Sequence, residues 1–104
     1  MTATLTVDFA ADAAYLALSD HEVVETCEVS PGVLVDLDDL RMVVGVEVLA
    51  LDAFIPRERL ITDYHMRSED VSILDQVRPS VTTFVQRQTA PVAHTIADDV
   101  LTKG

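Results

Sequence analysis

The chain lacks most of what marks a chemically specialised protein. It has no tryptophan, two tyrosines and three phenylalanines in 104 residues, so its core must rest on Val, Leu, Ile and Ala, and it offers few flat surfaces for stacking a base or ring. A single cysteine, Cys27, excludes an internal disulfide and sets the expectation of a reducing cytoplasm. The three glycines, Gly32, Gly45 and Gly104, are too far apart for a glycine-rich phosphate loop, and no cofactor is expected. The longest apolar stretch, residues 42–51, is broken by Glu47 and falls well short of the roughly 20 residues a spanning helix needs. No basic segment precedes the first apolar residues, so neither a secretory leader nor a membrane is expected.

Cations are scarce where anions are dense. Residues 1–53 hold seven Asp and four Glu against one Arg, a net of −10, whereas residues 54–104 hold five Asp and two Glu against five Arg and one Lys, a net of −1. An amino-terminal half this acidic repels a phosphate backbone, so nucleic acid is not an expected partner, and a basic protein or a cation is the better electrostatic match.

What is present is a strand pattern. Leu5, Val7 and Phe9 alternate with Thr4, Thr6 and Asp8, the period of two of a strand with one face buried and one wet, and Ala14, Leu16 and Leu18 repeat it. After Ser30-Pro31-Gly32, a turn sequence, Val33, Val35 and Leu37 alternate with Leu34, Asp36 and Asp38, and Val44, Val46 and Val48 with Gly45 and Glu47. A helix would scatter these apolar side chains around its circumference, so a mostly antiparallel sheet is predicted over the first half.

Three blocks, residues 7–19, 28–36 and 43–49, resemble in order and spacing the bacterial family called domain of unknown function 2283, over about the first half of the chain. Ala11 stands where that family often has Glu, and Leu40 where its acidic turn often has Gly, which implies a different turn. The resemblance implies the fold and supplies no activity, cofactor or catalytic residue. Members lying beside small toxin-like genes in some genomes point to an antitoxin-like role.

Past Ala53 the period lengthens to about three and a half. Pro56 is placed as a first helical residue, with Leu60, Ile61 and Tyr64 on one side. Ser68 reads as a cap, with Glu69 and Asp70 in the first turn and Val71, Leu74 and Val77 as the stripe. Pro79 starts or kinks a helix whose face continues through Val81, Phe84 and Val85, and a last helical segment runs from Pro91 with Val92, Ala93, Ile96, Ala97, Val100 and Leu101 on one side. The predicted architecture is one α+β domain over residues 1–104: an antiparallel sheet of about five strands in meander order, then two or three carboxy-terminal helices. These stripes carry more apolar surface than one sheet face can cover, so Val81, Phe84, Val85, Val92, Ile96, Val100 and Leu101 are expected to form a homodimer interface.

Candidate chemistry is thin. Asp36, Asp38 and Asp39 form the densest carboxylate cluster, with Glu47 eleven residues beyond Asp36 as in a calcium loop. The template then fails: Leu40 occupies its fifth position, Arg41 stands where it needs glycine, and the following valines belong to a strand, so a solvated turn is expected and no metal. The alternation of Asp36 and Asp38 also reads as a guard against edge pairing. Ser19-Asp20-His21 has the residue types of a hydrolytic triad, but neighbours in one turn cannot form the relay. His21, His65 and His94 are too scattered for a local metal site. Cys27, among glutamates, reads as a half-buried apolar residue with a raised pKa. Glu47, inside a valine-rich strand, needs a partner such as Arg41 or Arg57 if both sheet faces are covered. Arg57, Arg59, Arg67, Arg78 and Arg87 are interleaved with acids, as on an ordinary mixed helix surface. The expected function is a non-enzymatic interaction module forming a homodimer. The alternatives are an antitoxin-like protein neutralising a basic partner and, third, a small hydrolase or metal-dependent enzyme.

Overall fold

The structure, a computed structural model, describes residues 3–89 and 98–101. Strands β1 (Ala3–Asp8), β2 (Ala13–Ala17), β3 (Glu25–Ser30), β4 (Val33–Leu37) and β5 (Val43–Val48) precede helices α1 (Arg57–Asp63), α2 (Ser68–Val77) and α3 (Val81–Thr89), and β6 (Asp98–Leu101) follows. The α+β class, the antiparallel sheet and the carboxy-terminal helices are thus as the residue pattern predicts. All strand pairs are antiparallel, in the order β3-β4-β5-β2-β1-β6. The arrangement is meander-like: the β1-β2 hairpin and the β3-β4-β5 run lie side by side and meet where β2 pairs with β5.

Alternation decides which side of each strand is dry. Leu5, Val7, Ala14, Leu16, Val33, Val35, Leu37, Val46 and Val48 are buried on one face, in a single cluster with Leu60, Ile73, Leu74, Val77, Val81 and Phe84 from the helices. The turns supply the special backbone. Gly32 takes φ 80°, as the Pro31-Gly32 pair predicts, and the β4–β5 turn places Arg41 at φ 61°. That turn therefore manages without the family's glycine, by putting a non-glycine residue in the left-handed region.

The loops between the helices, and α3 itself, are laced through the backbone to β5 and to the segment that follows the sheet. Val43 N–H bonds to His65 C=O at 2.8 Å, Thr82 N–H to Leu51 C=O at 3.0 Å and Ile55 N–H to Pro79 C=O at 2.9 Å. Pro56 lies just before α1, its carbonyl accepting the Leu60 N–H at 3.1 Å. Ser68 is the first residue of α2 and caps nothing; the acids of the first turn do the local work, with Asp70 buried and bonded to Arg67 Nε at 3.1 Å. At α3 the cap is Ser80, whose Oγ accepts the Thr83 N–H at 3.3 Å.

Two expectations are corrected. Val81 and Phe84, assigned to a dimer interface, are buried in the chain's own core at 2% exposure each, and Val85 packs half-buried against it. One sheet face accommodates more of these stripes than the strand count suggested, because α1, α2 and α3 are short, at 7, 10 and 9 residues, and pack into one cluster with it. The helix expected from Pro91 is a strand over Asp98–Leu101, paired with Ala3–Thr6. The open edge of β1 offers backbone partners that a short isolated helix would lack. Val92 and Ile96 lie outside the described residues.

Val46 sits between Leu16 and Val35 in the middle of the sheet, 2% exposed. Val46→Ala should cost about 1–3 kcal/mol through lost burial and a residual cavity. Urea titration measures it, and a change under about half a kcal/mol would be that of a surface position.

Candidate functional site

The described helices pack on one side of the sheet and leave the other side to a polar row. Register sets its membership. Thr6 faces Tyr15, Tyr15 faces Glu47, Glu47 faces Leu34 and Leu34 faces Glu28; in the adjacent row Ala17, Gly45, Asp36 and Thr26 follow one another. Asp8, one pair further along, stands opposite Ala13. Thr6, Asp8, Ala13, Tyr15 and Glu47 line a shallow depression.

Tyr15 is the organising side chain. Its ring crosses from β2 over β5, and its hydroxyl donates to Asp36 Oδ2 on β4 at 2.7 Å. The crossing is possible because residue 45 is glycine: a Cβ there would collide with the Tyr15 hydroxyl and ring. Asp36 is held from the far side as well, its Oδ1 accepting the Thr26 hydroxyl at 2.6 Å. A chain of side-chain bonds thus ties β2, β4 and β3 across the open face. Burial, then the bond to Asp36 and the charges of Asp36 and Glu47, push the Tyr15 phenol well above its usual value.

The structure separates the sequence's carboxylate cluster. Asp36 belongs to the open face, whereas Asp38 is buried at 4% exposure and Asp39 is exposed in the turn. Asp38 Oδ1 accepts the N–H groups of Leu40 at 2.9 Å and Met42 at 3.0 Å, and its Oδ2 lies 3.0 Å from His21 Nδ1. The bond from His21, with the backbone N–H of Met42 and then of Leu40, holds this carboxyl below the usual range against the opposing effect of burial. Its oxygens are committed to shaping the β4–β5 turn and fastening the β2–β3 connection to it. Asp36 guards no edge, since β4 is interior to the sheet.

Ser19, Asp20 and His21 form no relay: Ser19 Oγ accepts the backbone N–H of His21 at 3.1 Å, and the imidazole turns to Asp38. Sequence reasoning missed that pair, which spans 17 positions; the one signal for it was an aspartate at the head of a turn. Arg41 bonds to Glu25 at 2.7 Å and Arg57 to Asp75 at 2.6 Å, so neither serves Glu47, which needs no buried counter-charge because its side of the sheet is half open. Cys27 is half-buried beside the core, its thiol pushed up by burial and then by Glu25. On the helices, Arg59 reaches Asp63, Arg78 stacks over Phe54 at 5.1 Å from the ring centroid, and Arg87 bonds to the carbonyls of Gln76 and Arg78. His94 lies outside the described residues.

Among the described residues no three His, Cys, Asp or Glu side chains are arranged to hold a metal ion, and no helix is long and apolar enough to cross a membrane. Residues 5–51 match the family model described as protein of unknown function (DUF2283). The DUF2283 match runs from within β1 to the end of β5, including the open face from Thr6 to Glu47, and stops before the helices. No curated protein and no solved structure matches the chain.

Two outcomes follow from this geometry. Gly45→Ala should cost about 1–2 kcal/mol, by displacing Tyr15 from Asp36, and only a few tenths of that in a Tyr15→Ala background, because the atoms nearest to the added methyl, all of the Tyr15 side chain, are then gone. Urea unfolding of the four chains measures the coupling, and additive effects would mean that Tyr15 does not lie over Gly45. The raised phenol also fixes a sign: its stabilising contribution is fully present below the unfolded value of about 10 and is lost as pH climbs through and above it, a loss that Tyr15→Phe should reduce.

Calcium, magnesium or zinc in modest excess should leave the melting temperature nearly unchanged, since a ligand bound only by the folded state would raise it. A rise abolished by Asp36→Asn with Asp38→Asn would assign a cation to the turn after all.

Proposed function

We propose that the chain is a non-enzymatic interaction module that binds a positively charged segment of another protein through the open face of its sheet. The observation carrying this reading is the placement of Asp8, Glu28, Asp36 and Glu47 around half-buried Tyr15 and Leu34, with none of the four in an ion pair among the described residues. Carboxylates left without counter-charges on one face give a field that steers cations toward it. Tyr15 and Leu34 add an apolar centre that a partner can dehydrate. An antitoxin-like role is the form this binding takes when the basic partner is toxic, and a lone half-buried cysteine suits a cytoplasmic setting. Self-association through the helices has less support, because Val81 and Phe84 are spent on the chain's own core.

Titration calorimetry with a short arginine-rich peptide tests the proposal. Binding should appear at low salt, weaken as salt is added, and fall about tenfold in a Glu28→Gln, Glu47→Gln variant, whose changed carboxylates are in no ion pair among the described residues. An affinity unmoved by that double substitution would remove the open face from the account.

A further inference from the structure

The sheet is closed unequally at its two sides. The edge of β1 is taken by β6, but β3 ends the other side, and among the described residues nothing pairs with its outer edge. In an antiparallel ladder alternate residues of an edge strand turn their N–H and C=O groups outward, which is a template for another strand. β3 carries no proline and no cation, and its charged residues are the exposed Glu25 and Glu28. The template extends beyond the strand itself: Val24 N–H bonds to Leu37 C=O at 2.9 Å, and the side chains of Val23 and Val24 are 43% and 56% exposed beside it.

Charge selects the occupant. A second copy of β3 would bring Glu22, Glu25 and Glu28 against their own copies, and the nearby cation, Arg41, is already bonded to Glu25. The same carboxylates that reject a second copy attract a cationic strand. Alternation then sorts the occupant's side chains. Those on the open face meet Glu28 and the Thr26–Asp36 pair, and those on the helix side meet half-buried Cys27 and, one pair along, the Glu25–Arg41 pair. We infer that the outer edge of β3 receives an extended segment of another protein, alternating basic and apolar residues, as an added strand. This rests on the open face being the site of a basic partner and specifies how that partner is held: backbone bonds give affinity, and the two faces of the added strand give specificity.

The probe is a short peptide alternating arginine and valine, compared with the same peptide N-methylated at the amides of one edge, which keeps its charge and loses its donors. Strand addition predicts that methylation weakens binding roughly tenfold or more and that the unmethylated peptide slows amide hydrogen exchange within Glu25–Ser30. Equal affinities for the two peptides, both reduced by Glu28→Gln with Glu47→Gln, would overturn strand addition while leaving the acidic face as the docking site. No binding of either peptide at low salt would overturn both readings.

Discussion

Pairing of β2 with β5 is the contact on which the rest of the sheet depends. The β1-β2 hairpin and the β3-β4-β5 run are each local, built from neighbours joined by short turns, and the two-stranded hairpin is too small to bury a face alone. Ala14 against Val48 and Leu16 against Val46 make the two pieces one surface, and the helices then have something continuous to cover. The same register puts Tyr15 opposite Glu47 and Ala17 opposite Gly45. A slip of one residue would turn Val46 and Val48 to the wet side and carry Gly45 from beneath the Tyr15 ring. Core and open face are therefore specified by one alignment.

Asp38 does for the loops what that ladder does for the strands. A buried carboxylate is costly unless its oxygens are satisfied, and here two backbone N–H groups and an imidazole satisfy them. The charged groups elsewhere contribute less, being exposed pairs on helix surfaces such as Arg57 with Asp75, where salt and side-chain entropy offset most of the attraction. Acidity is thus divided by role: Asp38 and Asp70 are buried and bonded, Asp36 braces the open face through Tyr15 and Thr26, and Asp8 and Glu28 face the solvent.

Much of this was legible in the residues because alternation with a period of two is a strong local signal. Val33, Val35 and Leu37 announced the buried side of β4, and the Pro31-Gly32 turn took the positive φ that its glycine permits. The family match agrees with the stretch that carried the resemblance. What was not legible needed distance. Nothing local tells Asp36 from Asp38, two positions apart; the register shift between Asp36 and Leu37, and partners at Tyr15, Thr26 and His21, decide that one faces out and the other in. The apolar stripe of Val81 and Phe84 was visible, but whether it serves a neighbouring helix or a neighbouring molecule is a question of how tightly three short helices fit one sheet face. Asp98–Leu101 was read by helical periodicity, and the vacant edge of β1 outweighed it.

With no tryptophan and two tyrosines, the molecule is also its own spectroscopic instrument. Tyr15 lies on the open face with its hydroxyl on a carboxylate, and Tyr64 packs against the core beneath the helices. Tyrosine absorbance and fluorescence therefore arise from two chromophores on opposite sides of the sheet. Replacing either with phenylalanine leaves a single intrinsic reporter, so events on the two faces can be watched separately without attaching a dye.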